Sequence, residues 1–470
     1  MPAKELSPIE IYRSLPGTNC KECGETNCMA FAAKLVNREA MLVGCKPLLE
    51  PKFLDAYNKL WALLKPSVKA VEVGVGEKAV TLGGEYVLYR HDFKYFHPTA
   101  IAVDVTDEMG DEEYETRIHI LNDFEYNYIG MKLTLDMLAL RSTSGDAEKF
   151  REAAKKAGEL TMKPIMLCST KPDVMEAALK EVGDKKPLLY AATVDNWQKM
   201  ADLSLQYKCP IAASAPLSLD ELKSLALTLE AYGVKDIVLD PGTQASLSML
   251  NNLNNFTVLR WNAINENEAG LGYPLIGIPM VSWTVKENDP VINEWNEAML
   301  SSALITRFAD LLVIHGVSGW SLLPQIILRS NLYTDPRKPV AVEPGLMTIG
   351  APTDEAAVLL TTNFALTYYT VASDLESAKL NCYLLVVDSE GMSVESAVAG
   401  RKLTAETISE ALVNYKVGEK VKHRSLIIPG RASRLSGEIQ EISNWNVSVG
   451  PLDSSGIPKY LEESWKPYSE

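Results

Sequence analysis

No apolar run in this 470-residue chain approaches the ~18–20 residues that a membrane-crossing helix requires. The opening "MPAKELSPIE" lacks a basic stretch followed by an apolar one, so a secretory leader is not expected and a cytoplasmic chain is. Basic residues are also short: 46 Lys and Arg stand against 61 Asp and Glu, a net charge of −15. That balance excludes the basic face a nucleic-acid binder presents to phosphate and disfavours docking on anionic lipid. Histidines number five, and none is paired at metal-binding helical spacing. No P-loop, G-x-G-x-x-G, G-x-S-x-G or H-E-x-x-H occurs. Low-complexity tracts and short repeats are absent too.

Cysteine is scarce, seven in all, but it is not scattered. "NCKECGETNC" (residues 19–28) holds Cys20, Cys23 and Cys28, and Cys45 follows in "VGCKPL". In a reducing compartment a cluster of this kind reads as metal ligands or redox groups, not as a disulfide framework. Four thiolates suit tetrahedral zinc or an iron–sulfur cluster. Zinc sites usually show two close pairs; here three ligands crowd one loop and the fourth arrives alone, which suits a cubane better. The segment after Cys28, "CMAFAAKLVNREAMLV", is helical in pattern, with Cys28, Ala32, Leu35 and Val36 on one face. A helix running on to Cys45 would part the two cysteines by ~25 Å at 1.5 Å per residue. The spacing therefore predicts a helix that stops near Asn37–Arg38 and a chain that doubles back. Cys168, Cys209 and Cys382 lie in or beside apolar strands and read as small buried hydrophobes.

The length allows two to four domains, and the pattern divides into three: residues 1–60 with the cysteines, 61–325, and 326–470. "FLDAYNKLWALLKPS" reads as an amphipathic helix ended by Pro66. "AVTLGG" and "EYVLYRHDF" then read as hairpin strands. Eight apolar strand runs follow: "AIAVDV", "DMLALRS", "PIMLCST", "PLLYAAT", "PIAASAP", "DIVLDPG", "YPLIGIPM" and "DLLVIHG". Most alternate with amphipathic helices, several ended by Gly. This predicts a parallel sheet covered on both faces, as a closed (β/α)8 TIM barrel or an open doubly wound sheet. "NFTVLRWN" is a ninth strand candidate. Residues 326–470 repeat the alternation on a smaller scale, four to five βα units that make a small open, Rossmann-like sheet. Such sheets bind ligands beyond the strand C-termini, and those ends carry small and hydroxyl residues in "TTN", "SEGMS", "PGRAS" and "GPLDSSG". The segment "YTDPRKPVAVEPG" (333–345) is a candidate hinge.

Two barrel residues leave alternatives open. His315 ends a predicted strand, where it is either a packing residue or catalytic. Asp240, in "DIVLDPG", either caps a strand-end turn or accepts hydrogen bonds from a pterin ring.

The N-terminal "LPGTNCKECGETNCMAFAAKLV…GCKPL" resembles the start of the large (gamma) subunit of the corrinoid iron–sulfur protein, a subunit also of the acetyl-CoA decarbonylase/synthase complex of archaea. The likeness continues in "EYVLYRH", "DIVLDPGT", "LLTTNFALTYYTV", "VDSEG", "IIPGRASRLSGEI" and "VGPLDSSGIPKYL", and so covers essentially the whole chain. The resemblance implies a 4Fe-4S domain, a TIM barrel and a small C-terminal corrinoid-binding domain. It implies a methyl carrier of the Wood–Ljungdahl pathway: cobalt(I) of the corrinoid accepts a methyl group from a methyl-tetrahydropterin and passes it to acetyl-CoA synthase, while the cluster restores cobalt(II) to cobalt(I). A barrel methyltransferase that binds the pterin and serves a separate corrinoid protein is the alternative. The implied partners are a small corrinoid iron–sulfur subunit in a heterodimer, a methyl-tetrahydropterin methyltransferase and acetyl-CoA synthase.

Carried onto this chain, the cluster ligands are Cys20, Cys23, Cys28 and Cys45. The corrinoid is expected over Thr362, Asn363, Thr367 and Tyr368 after one strand, Gly391, Met392, Ser393 and Val394 after the next, and Gly430 and Gly456, where a bare backbone permits close approach. No side chain need act as general acid or base, since the cobalt is the nucleophile. No histidine sits in the D-x-H-x-x-G pattern that supplies an imidazole to cobalt, so no protein imidazole ligand is expected.

Overall fold

The structure, a computed structural model, describes residues 7–216, 218–245, 249–285 and 289–465. It divides into two compact units, one running to Glu125 and including Leu133–Tyr333, the other Tyr126–Lys132 with the chain from Thr334 onward. The division falls at the start of the 333–345 segment.

In the first unit, the helix Cys28–Val36 begins at Asn27, whose Oδ1 accepts the Ala30 N–H at 2.8 Å. Cys28, Phe31, Ala32 and Leu35 are its buried positions. They fall three and four residues apart on one stripe, and pack with Ile11, Leu48, Leu60 and Leu64. The helix stops at Asn37, and Arg38 takes a left-handed φ of 59°, which turns the chain back. One turn of 3-10 helix, Leu42–Gly44, then delivers Cys45. The helix Leu54–Leu64 closes this layer.

Eight parallel strands follow: β1 Ala100–Thr106, β2 Met137–Arg141, β3 Ile165–Cys168, β4 Leu188–Ala192, β5 Ile211–Ser214, β6 Ile237–Asp240, β7 Ile276–Gly277 and β8 Leu311–Ile314. Their order is β6-β5-β4-β3-β2-β1-β8-β7, and a parallel bridge between Leu239 and Leu275 brings the two ends together. The result is a nearly closed TIM-like barrel. Alternate residues point inward, as the two-residue period of a strand requires: Ala100 and Ala102, Met137 and Ala139, Leu311 and Val313 share one core.

Val71, Val73 and Leu82 join that core. They come from an antiparallel pair, Ala70–Val73 with Val80–Gly83, which covers the N-terminal ends of the strands through Lys69 N–H to Gly272 O and Gly74 N–H to Lys186 O. This corrects the hairpin expected from "EYVLYRHDF". The partner of "AVTLG" lies before it in sequence, and residues 84–93 form no strand. Gly83 and Gly84 are both left-handed, and two of the aromatic side chains that suggested a strand pack instead against Phe96, Tyr86 edge-on and Phe93 tilted. The ninth candidate, "NFTVLRWN", is part of the helix Met249–Asn265. Phe256, Leu259, Ala263 and Ile264 are among its buried apolar residues, at helical spacing.

The second unit holds a five-stranded sheet: β9 Gly345–Ile349, β10 Val358–Thr362, β11 Cys382–Val387, β12 Ser425–Ile428 and β13 Asn446–Val449. The order is β9-β11-β10-β12-β13, with β9 antiparallel at the edge and the rest parallel. Helices cover both faces. Ala365–Ser377 and Ile457–Ser464 pack with Leu359, Leu384 and Val386. Val394–Ala399, Ala405–Asn414 and Ser436–Ser443 pack with Val358, Leu360 and Leu385. The chain winds from β10 to β11 on one side and returns to β12 on the other, so the winding reverses beside β10. A crevice opens at such a reversal.

Candidate functional site

The cysteine loop is built around left-handed residues. Asn19, Lys21 and Gly24 have φ of 48°, 64° and 84°, which curls the backbone around the thiols and turns N–H groups inward. Asn19 N–H donates to Cys28 Sγ at 3.3 Å. Cys20 is exposed, Cys23 half-buried, and Cys28 and Cys45 are buried. Burial pushes the Cys45 thiol up, the Leu48 backbone N–H pulls it down, and Cys28, Cys23 and Cys20 each push it further up. The four sulfurs thus lie within one another's field. A cationic iron core would offset the push that burial and the neighbouring sulfurs exert on Cys45, and the donor set fits a cluster. Among the described residues, no three His, Cys, Asp or Glu side chains are grouped closely enough to hold a single metal ion. The other three cysteines are inert: burial pushes Cys168 and Cys209 up to about 12 and Cys382 up to about 11.

In the second unit a cleft of about 440 Å³ opens at the reversal beside β10, lined by residues of β10 and β12, the helix Ala365–Ser377 and the segments that follow β11, β12 and β13. Of the residues expected to touch a corrinoid, Thr367, Ser393 and Val394 line it. The rest are placed differently. Asn363 is buried and fully engaged: Oδ1 accepts from Ser389 N–H and Oγ–H, both at 2.9 Å, and from Gly391 N–H at 3.1 Å, while Nδ2 donates to Asp388. It fastens the loop after β11 to the end of β10. Gly391 serves the same loop, with φ of 72° and Pro339 where a Cβ would stand. Met392 packs into the apolar core behind, and Tyr368 into the opposite one against Tyr369. A Cβ on Gly430 would meet the carbonyls of Gly450 and Pro451 at 2.9 Å, and one on Gly456 would meet Pro451. Both keep the backbone close beneath the rim.

Thr362 is fully buried at the end of β10, and Thr361, buried beside it, lines the cleft. Neither hydroxyl has a partner among the described residues. An orphaned buried hydroxyl is costly, and Thr361 carries one on a residue that lines the cleft. Sequence reasoning missed Thr361, and also Arg431 and Glu395, which line the cleft and pair with each other at 2.7 Å. The signal was the arginine directly after Gly430 in "PGRAS". The second unit's histidine, His423, is spent elsewhere: Nε2 contacts Ala356 O and Nδ1 accepts from Ser425 N–H.

At the C-terminal mouth of the barrel, Asp240 caps its own turn. Oδ1 accepts the Gly242 N–H at 2.8 Å, and Oδ2 accepts Tyr190 Oη–H at 2.6 Å and Ser214 Oγ–H at 2.8 Å. Burial pushes this carboxyl up against those three donors. Asp240 therefore serves the strand-end turn. His315 is hydrogen-bonded at the end of its strand: its Nδ1 lies 2.7 Å from Asp104 Oδ1, and a quarter of its side chain is exposed.

A four-cysteine loop, a TIM-like barrel and a small doubly wound sheet together make an α/β protein of two compact units. Residues 15–47 match the "Putative Fe-S cluster" family model, and residues 70–461 match that of the CO dehydrogenase/acetyl-CoA synthase delta subunit. The acetyl-CoA decarbonylase/synthase complex subunit gamma of Methanosarcina acetivorans is 42% identical over 465 residues, 98% of this chain and 99% of that one. That of Archaeoglobus fulgidus is 42% identical over 470 residues, 99% of each. The chain belongs to this CO dehydrogenase/acetyl-CoA synthase subunit family. Among solved structures, dihydropteroate synthase of Thermus thermophilus is 17% identical with a TM-score of 0.39, covering 56% of this chain and 100% of that one. Among the described residues, no helix is long and apolar enough to cross a membrane.

Proposed function

We propose that this chain is the large subunit of a corrinoid iron–sulfur protein, a cytoplasmic methyl carrier that works with a small subunit, a methyl-tetrahydropterin methyltransferase and acetyl-CoA synthase. The observation that carries the reading is the cleft beside β10, with Thr361 unpartnered on its wall. When bound there, a corrinoid supplies a cobalt that accepts and releases methyl. Thr361, Thr367 and Ser393 would hold its polar rim, and Leu366, Val371, Val394 and Ile457 its apolar edge. Gly430 and Gly456 let the loops beneath the rim pack closely on Gly450 and Pro451. His423, already bound on both nitrogens, offers no axial imidazole. Cys20, Cys23, Cys28 and Cys45 would hold a 4Fe-4S cluster that keeps the cobalt reduced.

A second reading, in which the barrel binds the methylpterin, is supported by the polar cluster of Asp104, Arg117, Arg141 and His315 at its C-terminal mouth, where barrel sites form. Both readings describe one subunit of a larger complex, as the relatives are named. Anaerobic purification with metal analysis and absorbance separates them. About four irons and one cobalt per chain support the carrier. Iron without cobalt, with methylpterin binding by this chain alone, supports the barrel enzyme. Zinc alone removes both. Cys45→Ala should lose or degrade the cluster; an intact cluster with full corrinoid reduction would strike Cys45 from the ligands.

A further inference from the structure

The mouth of the barrel at β1, β2 and β8 holds one imidazole with unusual care. Asp104, at the heart of β1, is fully buried and accepts from three side chains: His315 Nδ1 at 2.7 Å, Arg117 Nη2 at 2.9 Å and Arg141 Nη1 at 2.7 Å. Arg117 also donates to the carbonyls of Asp104 and His315, at 2.8 and 2.6 Å, tying the two strand ends together. From the helix Pro290–Ile305, the buried carboxylate of Glu297 accepts the N–H groups of His315 and Gly316 at 2.7 and 2.6 Å, and Trp283 Nε1–H at 3.1 Å. The edge of that indole meets the imidazole, with ring centroids 4.6 Å apart. The ring is fixed at its backbone, at Nδ1 and on one face. Nε2 has no partner among the described residues, on a side chain that is partly exposed.

A packing histidine does not need this. A buried carboxylate on Nδ1 and a free, accessible Nε2 are the parts of an acid–base group: the carboxylate fixes the tautomer and stabilises the imidazolium. The charged groups that face the ring are Asp104 from β1, Arg117 from the helix Asp111–Asp123, Arg141 from β2 and Glu297.

We propose that His315 is an acid–base residue of the barrel mouth, delivering a proton from Nε2 to the ring nitrogen that carries the methyl group of a bound tetrahydropterin, with Asp104 as its positioning residue. This rests on the reading that the barrel binds the methyl donor. The chemistry requires such a group. A tertiary amine nitrogen is a poor leaving group, and gaining a proton lets it depart as a neutral amine. In the step proposed, the Nε2–H bond breaks and an N–H bond forms on the pterin. Nδ1–H stays hydrogen-bonded to Asp104, and the neutral imidazole that remains takes a proton back at Nε2 from solvent, which is the uptake the complex shows.

The test is calorimetric titration of the purified, cluster-containing full chain with methyl-tetrahydropterin, in buffers of differing ionisation heat near neutral pH. Wild type should bind with net uptake of close to one proton, and His315→Gln should bind with severalfold weaker affinity and no uptake. Equal uptake in His315→Gln overturns the proton role while leaving the binding reading intact. No binding by either overturns the reading beneath it. Should the variant fail to fold, wild type labelled with ¹⁵N-histidine decides: the ring nitrogens of one imidazole must shift on binding as its Nε2 gains a partner, and five unchanged imidazoles overturn the proposal.

Discussion

Asn19 and Cys28 are bound to each other twice. Cys28 N–H donates to Asn19 Oδ1 at 2.9 Å, and Asn19 N–H donates to Cys28 Sγ at 3.3 Å. The first bond fixes the helix start that carries Cys28; the second places a donor on one of the proposed cluster ligands, and such donors raise reduction potential. Asn also tolerates the left-handed φ of 48° better than most residues. Asn19→Ala should lose both the acceptor and the conformational fit, about 1–2 kcal/mol in all, and yield protein with less iron and a lower cluster potential. Asn19→Gly keeps the conformation and should recover part of the iron content. Equal iron and potential in all three proteins would dismiss the pair as incidental.

Asn363 should prove structural, not a ligand contact. It accepts three hydrogen bonds from Ser389 and Gly391 and donates one to Asp388, all in a buried setting. Asn363→Ala deprives the Ser389 and Gly391 N–H groups of their acceptor, while Ser389 Oγ–H keeps Met392 O, a cost on the order of 2–4 kcal/mol. The direct readout is amide exchange: Ser389 and Gly391 should lose protection while β12 and β13 keep theirs. Unchanged protection in the loop would mean the anchor is not what holds it.

The cysteine hairpin was legible because one distance decided it: four ligands of one cluster cannot be spread along an unbroken helix, and the chain does turn at Asn37–Arg38. The barrel strands were legible because buried parallel strands are continuous apolar runs. Pattern failed where tertiary contacts set the outcome. Residues 84–93 are rich in aromatics, which favour strands, but the left-handed Gly83–Gly84 pair and the packing against Phe96 claim them. In "NFTVLRWN" the β-branched and aromatic residues outweighed a helical spacing that Phe256 and Leu259 make plain once their burial is seen. At the cleft, the loops were predictable but roles within them were not. Nothing in "TTNFALTYY" says that Asn363 turns inward to a neighbouring loop while Thr361 lines the cleft. His315 gave no local motif, since its partner Asp104 is remote in sequence.

Glu85 makes the barrel floor sensitive to pH. It lines a cavity of about 40 Å³ with Tyr95, Arg260, Asp310 and Tyr333. Burial pushes its carboxyl from 4.5 up to about 8, with Asp310 adding to the rise and Arg260 opposing it. Between those two values the folded chain holds a proton that the unfolded chain has released. Stability is therefore fullest below about 4.5, falls as pH rises through the window, and levels off above about 8. The slope inside the window is at most about 1.4 kcal/mol per pH unit for this group. Glu85→Gln keeps the neutral shape and should remove that contribution. Urea unfolding of the first unit at about pH 5.5 and 7.5 should show a smaller difference for Glu85→Gln than for wild type. Matching differences would place the pH sensitivity elsewhere.

Thr361 and Thr362 offer the sharpest separation of fold from function, because they are adjacent, both buried and both without a hydroxyl partner among the described residues. Val replaces the hydroxyl by a methyl of nearly the same size, so either Thr→Val change removes an unsatisfied polar atom without opening a cavity. Each should stabilise the ligand-free unit by about 1 kcal/mol. Only Thr361 lines the cleft. With corrinoid present, Thr361→Val should bind it severalfold more weakly, and Thr362→Val should bind as wild type does. Thermal unfolding without corrinoid reads the first effect, and absorbance titration with corrinoid reads the second. If both variants gain stability and neither loses affinity, the hydroxyl at 361 is a packing imperfection, and the cleft must recognise its ligand through Thr367, Ser393 and the Arg431–Glu395 pair instead.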